Sequence, residues 1–156
     1  MITTRSLLTA FLLAPLCALT AMAQTKPNFT GTWKLNIQKS KFAGDGPEGV
    51  TIEFNHQDNN LTEAFTHFQG VGENTIEAKY TIGGKESEAQ VGDEVIKATA
   101  KWDGDALVID WRGPEEGWYY VRKLTLSADG KTMTINLKHS LPNGGMDEKI
   151  WVFEKQ

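Results

Sequence analysis

The chain has 156 residues, a formal net charge of −4 and 40% hydrophobic residues. This length suits one domain with a proper hydrophobic core. The mildly acidic balance excludes a protein built to grip nucleic acid or an anionic lipid surface. A single cysteine excludes a disulfide framework.

Residues 1–23 have the features of an export signal. Arg5 supplies a positive charge, and an apolar run of roughly 14 residues, too short to span a bilayer, follows it. Ala21–Ala23 form a small-x-small cleavage site before Gln24. We therefore expect removal of residues 1–23, and a single domain over 24–156 that is periplasmic or secreted and does not insert into the membrane.

Cys17 offers a different interpretation of the same segment, a lipid-modified signal. That interpretation is disfavoured because Pro15 and Leu16 stand where small residues are expected. Simple cleavage removes Cys17 and leaves a mature chain without thiols, so its stability must come from packing.

Turn signals recur at short spacing along the rest of the chain. Examples are "GDGPEG" at 44–49, "DGD" at 103–105, "ADGK" at 128–131 and "PNGG" at 142–145. The segments between the turns alternate apolar and polar residues, as in the series Ile96, Ala98, Ala100 and Trp102. This pattern predicts about eight to ten strands in an antiparallel, up-and-down β-barrel. The only helical candidate is a single turn in "IQKSKF" at 37–42.

The first predicted strand, "GTWKL", resembles the first strand of calycins, the group that contains lipocalins and fatty-acid-binding proteins. The resemblance implies that Trp33 closes one end of the barrel and that Gly31 makes room for a close approach. The chain also resembles a family of small secreted bacterial lipocalin-like barrels of unsettled function. That likeness lies in "FTGTWKLNIQKSKF", "AKWDGDALVID" and "LTLSADGKTMTI".

Three features depart from the calycin pattern. The last strand has no arginine to cover the tryptophan and offers only Lys149 and Lys155. Residues 37–49 are too few for the helical lid of fatty-acid-binding proteins. The Arg-x-Tyr carboxylate clamp of those proteins has only a reversed counterpart on an earlier strand, Tyr120-Val121-Arg122.

Arg122 is predicted to point into the barrel, since the apolar residues Trp118, Tyr120, Leu124 and Leu126 share its phase. A buried guanidinium needs a partner. Two interpretations remain open. Arg122 anchors an acidic ligand together with the Tyr120 hydroxyl, or it pairs with Glu63 or stacks on Trp33.

Aromatic residues are abundant, with five Trp, seven Phe and three Tyr. They pack cores well, but they also form stacking walls for apolar ligands. Trp111 and Trp118 flank one turn and are placed near one rim. We predict that the ligand contacts, besides Arg122, are Tyr120, Tyr80, Trp111, Trp118, Phe54 and Phe65.

His56, His67 and His139 all fall on the predicted inner phase of their strands. Imidazoles that meet inside a barrel can hold zinc, copper or haem iron. These three have no diagnostic ligand spacing, so we predict neither metal nor cofactor.

The carboxylates Glu63, Asp110, Glu115 and Glu116 form no recognisable acid–base pair. Asp110 shares an outer phase with Arg112 and is expected to form a surface ion pair. We therefore predict no catalytic residues and no enzyme activity.

Three functional hypotheses follow. The favoured one is an exported, monomeric barrel that binds a small, largely apolar ring or acyl chain, with any acidic end held by Arg122. The second is an interaction or inhibitor module whose barrel is filled with side chains. The third is a haem or metal barrel or a small enzyme. Cavity volume distinguishes the first two hypotheses.

Overall fold

The computed structural model describes residues 25–42, 44, 46–91, 94–113 and 117–156. The expected signal segment and its cleavage site lie outside these residues. Within the described chain, no helix is long and apolar enough to cross a membrane.

The described residues form ten β-strands and one turn of 3₁₀ helix at Ile37–Lys39, where a single helical turn was predicted. The strands are β1 Gly31–Leu35, β2 Gly49–Gln57, β3 Asn60–Gln69, β4 Gly72–Thr81, β5 Glu86–Val91, β6 Glu94–Asp103, β7 Ala106–Arg112, β8 Tyr119–Leu126, β9 Thr132–Ser140 and β10 Met146–Lys155.

Each strand pairs antiparallel with the next strand in the sequence, and the first strand pairs with the last. In that closing pair Trp33 lies opposite Lys155, and Leu35 lies opposite Phe153. The sheet is therefore a closed, up-and-down barrel of ten strands. This confirms the predicted fold class at the upper end of the expected strand number.

The period-2 alternation decides which side chains enter the barrel. On β6, Ile96, Ala98 and Ala100 are buried, whereas Lys97 and Lys101 between them are exposed. A one-residue slip would exchange these two sets, so burial of the apolar face fixes the register. The same rule places one continuous hydrophobic core inside the barrel.

Trp33 closes one end of the barrel and is completely buried. Its indole Nε1 donates a hydrogen bond to the carbonyl of Phe29 at 2.8 Å. The ring of Phe29 in turn stacks on Trp102 at a centroid distance of 6.2 Å. We call this end, with residues 25–30 across it, the closed end.

Lys155 covers the Trp33 ring, with its ammonium 5.2 Å from the ring centroid. Gly31 has a φ of 137°, and a Cβ there would lie 2.6 Å from the Lys155 Cε atom. The glycine therefore makes room for the lysine side chain, which takes the covering position that the resemblance assigns to an arginine.

The opposite end of the barrel is the mouth, formed by Ile37–Lys39 and by residues 70–71, 117–118 and 141–145. The segment after β1 carries only the short 3₁₀ turn there, so no helical lid is present among the described residues. Large apolar side chains that are exposed in the structure cluster at this end: Ile37, Phe68, Val71, Val95, Trp118 and Met146.

Replacing Trp33 by alanine is expected to lower the free energy of unfolding by about 3–5 kcal/mol, because it opens a cavity at a site without free space. Urea unfolding followed by circular dichroism measures this change. Trp118→Ala is the matched control, since Trp118 is 38% exposed and should cost far less. Equal losses for the two variants would contradict the role of Trp33 in closing the barrel.

Candidate functional site

A buried ion pair crosses the interior of the barrel. Arg122 on β8 is 2% exposed and Glu63 on β3 is 3% exposed. The guanidinium donates from Nη1 to Glu63 Oε1 at 2.5 Å and from Nη2 to Glu63 Oε2 at 2.8 Å. In the ten-strand ring β3 and β8 stand opposite each other, so this bidentate pair ties together two facing walls.

Tyr80 and Trp111 complete the polar network around the pair. The Tyr80 hydroxyl donates to Glu63 Oε2 at 2.9 Å, and it accepts from Trp111 Nε1 at 2.9 Å and from Arg122 Nη2 at 3.3 Å. The Trp111 ring lies against the guanidinium, with Arg122 Cζ 4.6 Å from the ring centroid. One face of the guanidinium is thus covered by an indole.

The ionisation of these groups follows from burial and from the charges beside them. Burial lowers the pKa of Arg122, but Glu63 more than compensates, so that this pKa lies above its ordinary value. Burial, reinforced by the negative charge of Glu63, raises the pKa of Tyr80 well above the usual value of a phenol. Burial also raises the pKa of Tyr120 to about 12. Arg122 is therefore charged at neutral pH, and both phenols are neutral.

A cavity of about 230 Å³ lies beside the network on the side of the mouth. Its wall is mainly aromatic and aliphatic, and Arg122 is the charged residue that lines it. Among the described residues the Tyr120 hydroxyl makes no hydrogen bond, and the Arg122 Nε also has no hydrogen-bond partner. The lining residues are Phe65, Ile76, Trp111, Trp118, Tyr120 and Arg122.

The strand registers explain why the cavity lies on this side. Phe65 faces Ile76 across β3 and β4, and Trp111 faces Tyr120 across β7 and β8. On β3, Phe65 is the next inward-facing residue after Glu63 towards the mouth. On β8, Tyr120 is the next inward-facing residue after Arg122 in the same direction. Both pairs therefore lie nearer the mouth than the ion pair. Phe65 also stacks on Trp151, with ring centroids 6.1 Å apart, so aromatic packing limits the size of the cavity.

Five of the predicted ligand contacts line the cavity: Phe65, Trp111, Trp118, Tyr120 and Arg122. Two do not. Tyr80 is held in the network by its hydrogen bonds, and Phe54 packs edge-on against Phe29 near the closed end, at a centroid distance of 6.3 Å. Neither lines this cavity, because inward-facing side chains can pack in the core as well as around a cavity.

Ile76 is a cavity residue that the sequence analysis did not single out. It faces inward on β4, but an inward orientation alone does not tell which level of the barrel stays open. The structure also shows which groups contact Arg122. The guanidinium pairs with Glu63, and it stacks on Trp111 rather than on Trp33.

The histidines lie in separate places. His56 is at the closed end, where its Nδ1 accepts from the Phe29 N–H at 3.3 Å. His139 pairs with Asp147 at 3.2 Å and contacts the Tyr120 ring. The described part of the chain contains no group of three or more His, Cys, Asp or Glu side chains placed to hold a metal ion.

Of the remaining acidic residues named from the sequence, the structure describes Asp110. Asp110 forms the expected ion pair with Arg112 at 2.7 Å on the outer wall. Glu115 and Glu116 lie outside the described residues.

No protein-family model and no curated protein sequence matches the chain. Solved structures do match. A REP1-NXSQ fatty acid transporter is 19% identical with a TM-score of 0.60, and the alignment covers 82% of this chain and 96% of that one. A secretory abundant heat soluble protein from Ramazzottius varieornatus is 11% identical with a TM-score of 0.63, over 82% of this chain and 95% of that one.

The fluorescent protein UnaG, solved as a point mutant, is 14% identical with a TM-score of 0.60, over 82% of this chain and 96% of that one. None of these three proteins is named as an enzyme. At these identities the likeness shows the fold alone, a barrel of the fatty-acid-binding-protein and lipocalin type.

Arg122→Met is expected to lower the free energy of unfolding by about 3–5 kcal/mol, because it leaves the Glu63 carboxylate buried without its counter-charge. Adding Glu63→Leu should recover much of the loss, since a buried ion pair is often replaced by apolar residues at little cost. Chemical denaturation measures both variants.

Lys123→Met is the matched control for this pair of variants. Lys123 is the next residue on β8, and its ion pair with Asp103 lies at the surface, so the loss should stay below about 1 kcal/mol. If the double variant is no more stable than Arg122→Met, the buried carboxylate is not the cause of the loss.

Raising the pH from 10 to 12 is expected to destabilise the protein in part through Tyr120. The folded protein keeps the phenolic proton up to a pKa of about 12, whereas the unfolded chain releases it near the ordinary value of about 10. The unfolded state binds fewer protons in this window, so stability falls as the pH rises. Tyr120→Phe should reduce this fall in urea-unfolding series at several pH values, and an unchanged pH dependence would contradict the assignment.

Proposed function

We propose that this chain is a passive binding protein for a small, largely apolar molecule, held in the cavity between the ion-pair network and the mouth. The cavity itself is the observation that carries the proposal. Its wall offers aromatic faces from Trp111, Trp118 and Phe65, and Tyr120 adds one polar group. An apolar enclosure with a few convergent polar groups is the usual form of a small-molecule site.

The cavity volume limits the size of the ligand. A cavity of about 150 Å³ lined by apolar side chains can hold benzene, and this one measures about 230 Å³. Typical ligand sites begin at about 300 Å³. The proposed ligand is therefore a compact ring system or a short chain rather than a long acyl chain, and part of it reaches into the open mouth.

The proposal includes an extracytoplasmic location, which is supported by the signal pattern in residues 1–23. An exported protein would meet ligands from the surroundings of the cell. Intact-mass measurement on protein from its own host tests this point, with a chain that begins at Gln24 as the expected result.

A second candidate function is an interaction module, and the exposed apolar side chains at the mouth favour it. A groove of about 510 Å³ runs there between residues 117–119 and 140–146, and Trp118 and Met146 line it. Most of the interior is filled by side chains. In this alternative the mouth binds another protein and the cavity has no occupant.

The binding proposal is tested first by native mass spectrometry of protein purified from its own host. A co-purifying small molecule is the expected result. Calorimetric titration with two naphthalene probes, 2-acetylnaphthalene and 2-naphthoate, provides a second test. At least one of the probes should bind with a dissociation constant of about 10–100 μM, from the efficiency typical of ligands this small.

Ile76→Trp should abolish probe binding, because the larger ring occupies the cavity volume that Ile76 lines. Val95→Trp is the matched control, since Val95 is exposed at the same end of the barrel and its replacement leaves the cavity open. Failure of both probes to bind the unmodified protein, together with the absence of any co-purifying molecule, would favour the interaction module instead.

A further inference from the structure

Arg122 is the one cationic residue among the described residues that line the cavity, and Glu63 already forms an ion pair with it. Both terminal nitrogens of the Arg122 guanidinium donate to its two carboxylate oxygens, at 2.5 and 2.8 Å. This end-on bidentate pair uses both terminal nitrogens, so that a ligand carboxylate could not form the same bidentate pair and would meet Nε as the nitrogen without a partner. Trp111 covers one guanidinium face. Arg122 therefore presents to the cavity a charge that is already compensated.

A second carboxylate in this cavity would be strongly unfavourable. It would lose its hydration and would stand beside Glu63 without a free cation in the described wall to balance either charge, and like charges in a poorly hydrated site disfavour each other's ionised form. Tyr80 gives no relief, because its hydroxyl proton is already donated to Glu63. The wall thus selects against an acidic ligand, whatever the apolar part of that ligand is.

A neutral ligand with an acceptor oxygen meets no such penalty. The Tyr120 hydroxyl lines the cavity without a hydrogen-bond partner among the described residues. A phenol is neutral at neutral pH, and burial raises the pKa of Tyr120 further, to about 12, so the hydroxyl can donate a hydrogen bond to a carbonyl or ether oxygen. The aromatic wall can then pack the rest of the molecule.

We propose that Glu63 is the specificity-determining residue of the cavity, and that it makes the site selective for neutral, oxygen-bearing apolar molecules over carboxylic acids of the same shape. This inference rests on the proposed function. It assigns the ion pair a role in selecting ligands and goes beyond the statement that the cavity binds a small molecule.

The test compares two probes of nearly equal shape, 2-acetylnaphthalene and 2-naphthoate, by calorimetric titration at neutral pH. The ketone and the acid differ in charge, with a methyl group in one where the other has a carboxylate oxygen. The unmodified protein should bind the ketone at least about tenfold more tightly than the acid, a difference of about 1.4 kcal/mol. Tyr120→Phe should weaken ketone binding severalfold and leave 2-ethylnaphthalene binding unchanged.

Glu63→Gln should reverse the preference, because it frees the charge of Arg122 for the ligand carboxylate. The acid should then bind at least about tenfold more tightly than it binds the unmodified protein, and it should raise the melting temperature of the variant. Glu53→Gln is the matched control. It is the same substitution at an exposed position on the adjacent strand β2, and it should leave both affinities unchanged.

The double variant Glu63→Gln/Arg122→Met covers the case in which Glu63→Gln alone does not fold, because it removes the uncompensated cation. It should bind the ketone and still reject the acid, since no free cation remains in the described wall. If the unmodified protein binds the acid as tightly as the ketone, the selectivity inference is overturned while the proposed function stands. If neither probe binds, the selectivity inference is overturned, and the proposed function fails with it when no small molecule co-purifies either.

Discussion

The ion pair between Glu63 and Arg122 organises the interior of this barrel. Removing two charges from water is costly, and a single pair rarely recovers that cost unless its remaining hydrogen-bonding groups are satisfied. Here Tyr80 and Trp111 supply the additional contacts. Because the two charges come from facing walls, the pair fixes the spacing of those walls at one level of the barrel.

The position of the pair divides the interior into two parts with different properties. Towards the closed end, Trp33, Phe29 and Phe54 fill the barrel with large rings. Towards the mouth, packing is incomplete and leaves a cavity of about 230 Å³. Side chains hold the closed end together mainly by ring packing, whereas the cavity borders directly on the charged pair. A ligand in the cavity would therefore meet both aromatic surface and a compensated charge.

The similarity to solved barrels shows how this chain is folded, but it does not transfer a ligand. A barrel of this type can host different ligands because its inward-facing residues vary independently of the strands that carry them. In this chain the guanidinium that lines the cavity is paired internally, and the cavity is small. The proposed ligand class rests on these two properties rather than on the fold.

The sequence determined the strands, because period-2 alternation depends on local residue order and each strand has one buried face. It also determined the closing of the ring in outline, since short hairpins leave each strand beside its sequence neighbour. The inward orientation of Arg122 followed from the same alternation. Only the tertiary structure decided the partner of Arg122, because Glu63 lies 59 positions away in the sequence and reaches it only when opposite walls face each other. The level at which the barrel stays open was also decided in three dimensions, which is why Phe54 and Tyr80 serve packing and the network while Ile76 lines the cavity. Alternation specifies which face of a strand is inside; the volume left between ten strands depends on how all their side chains fill it together.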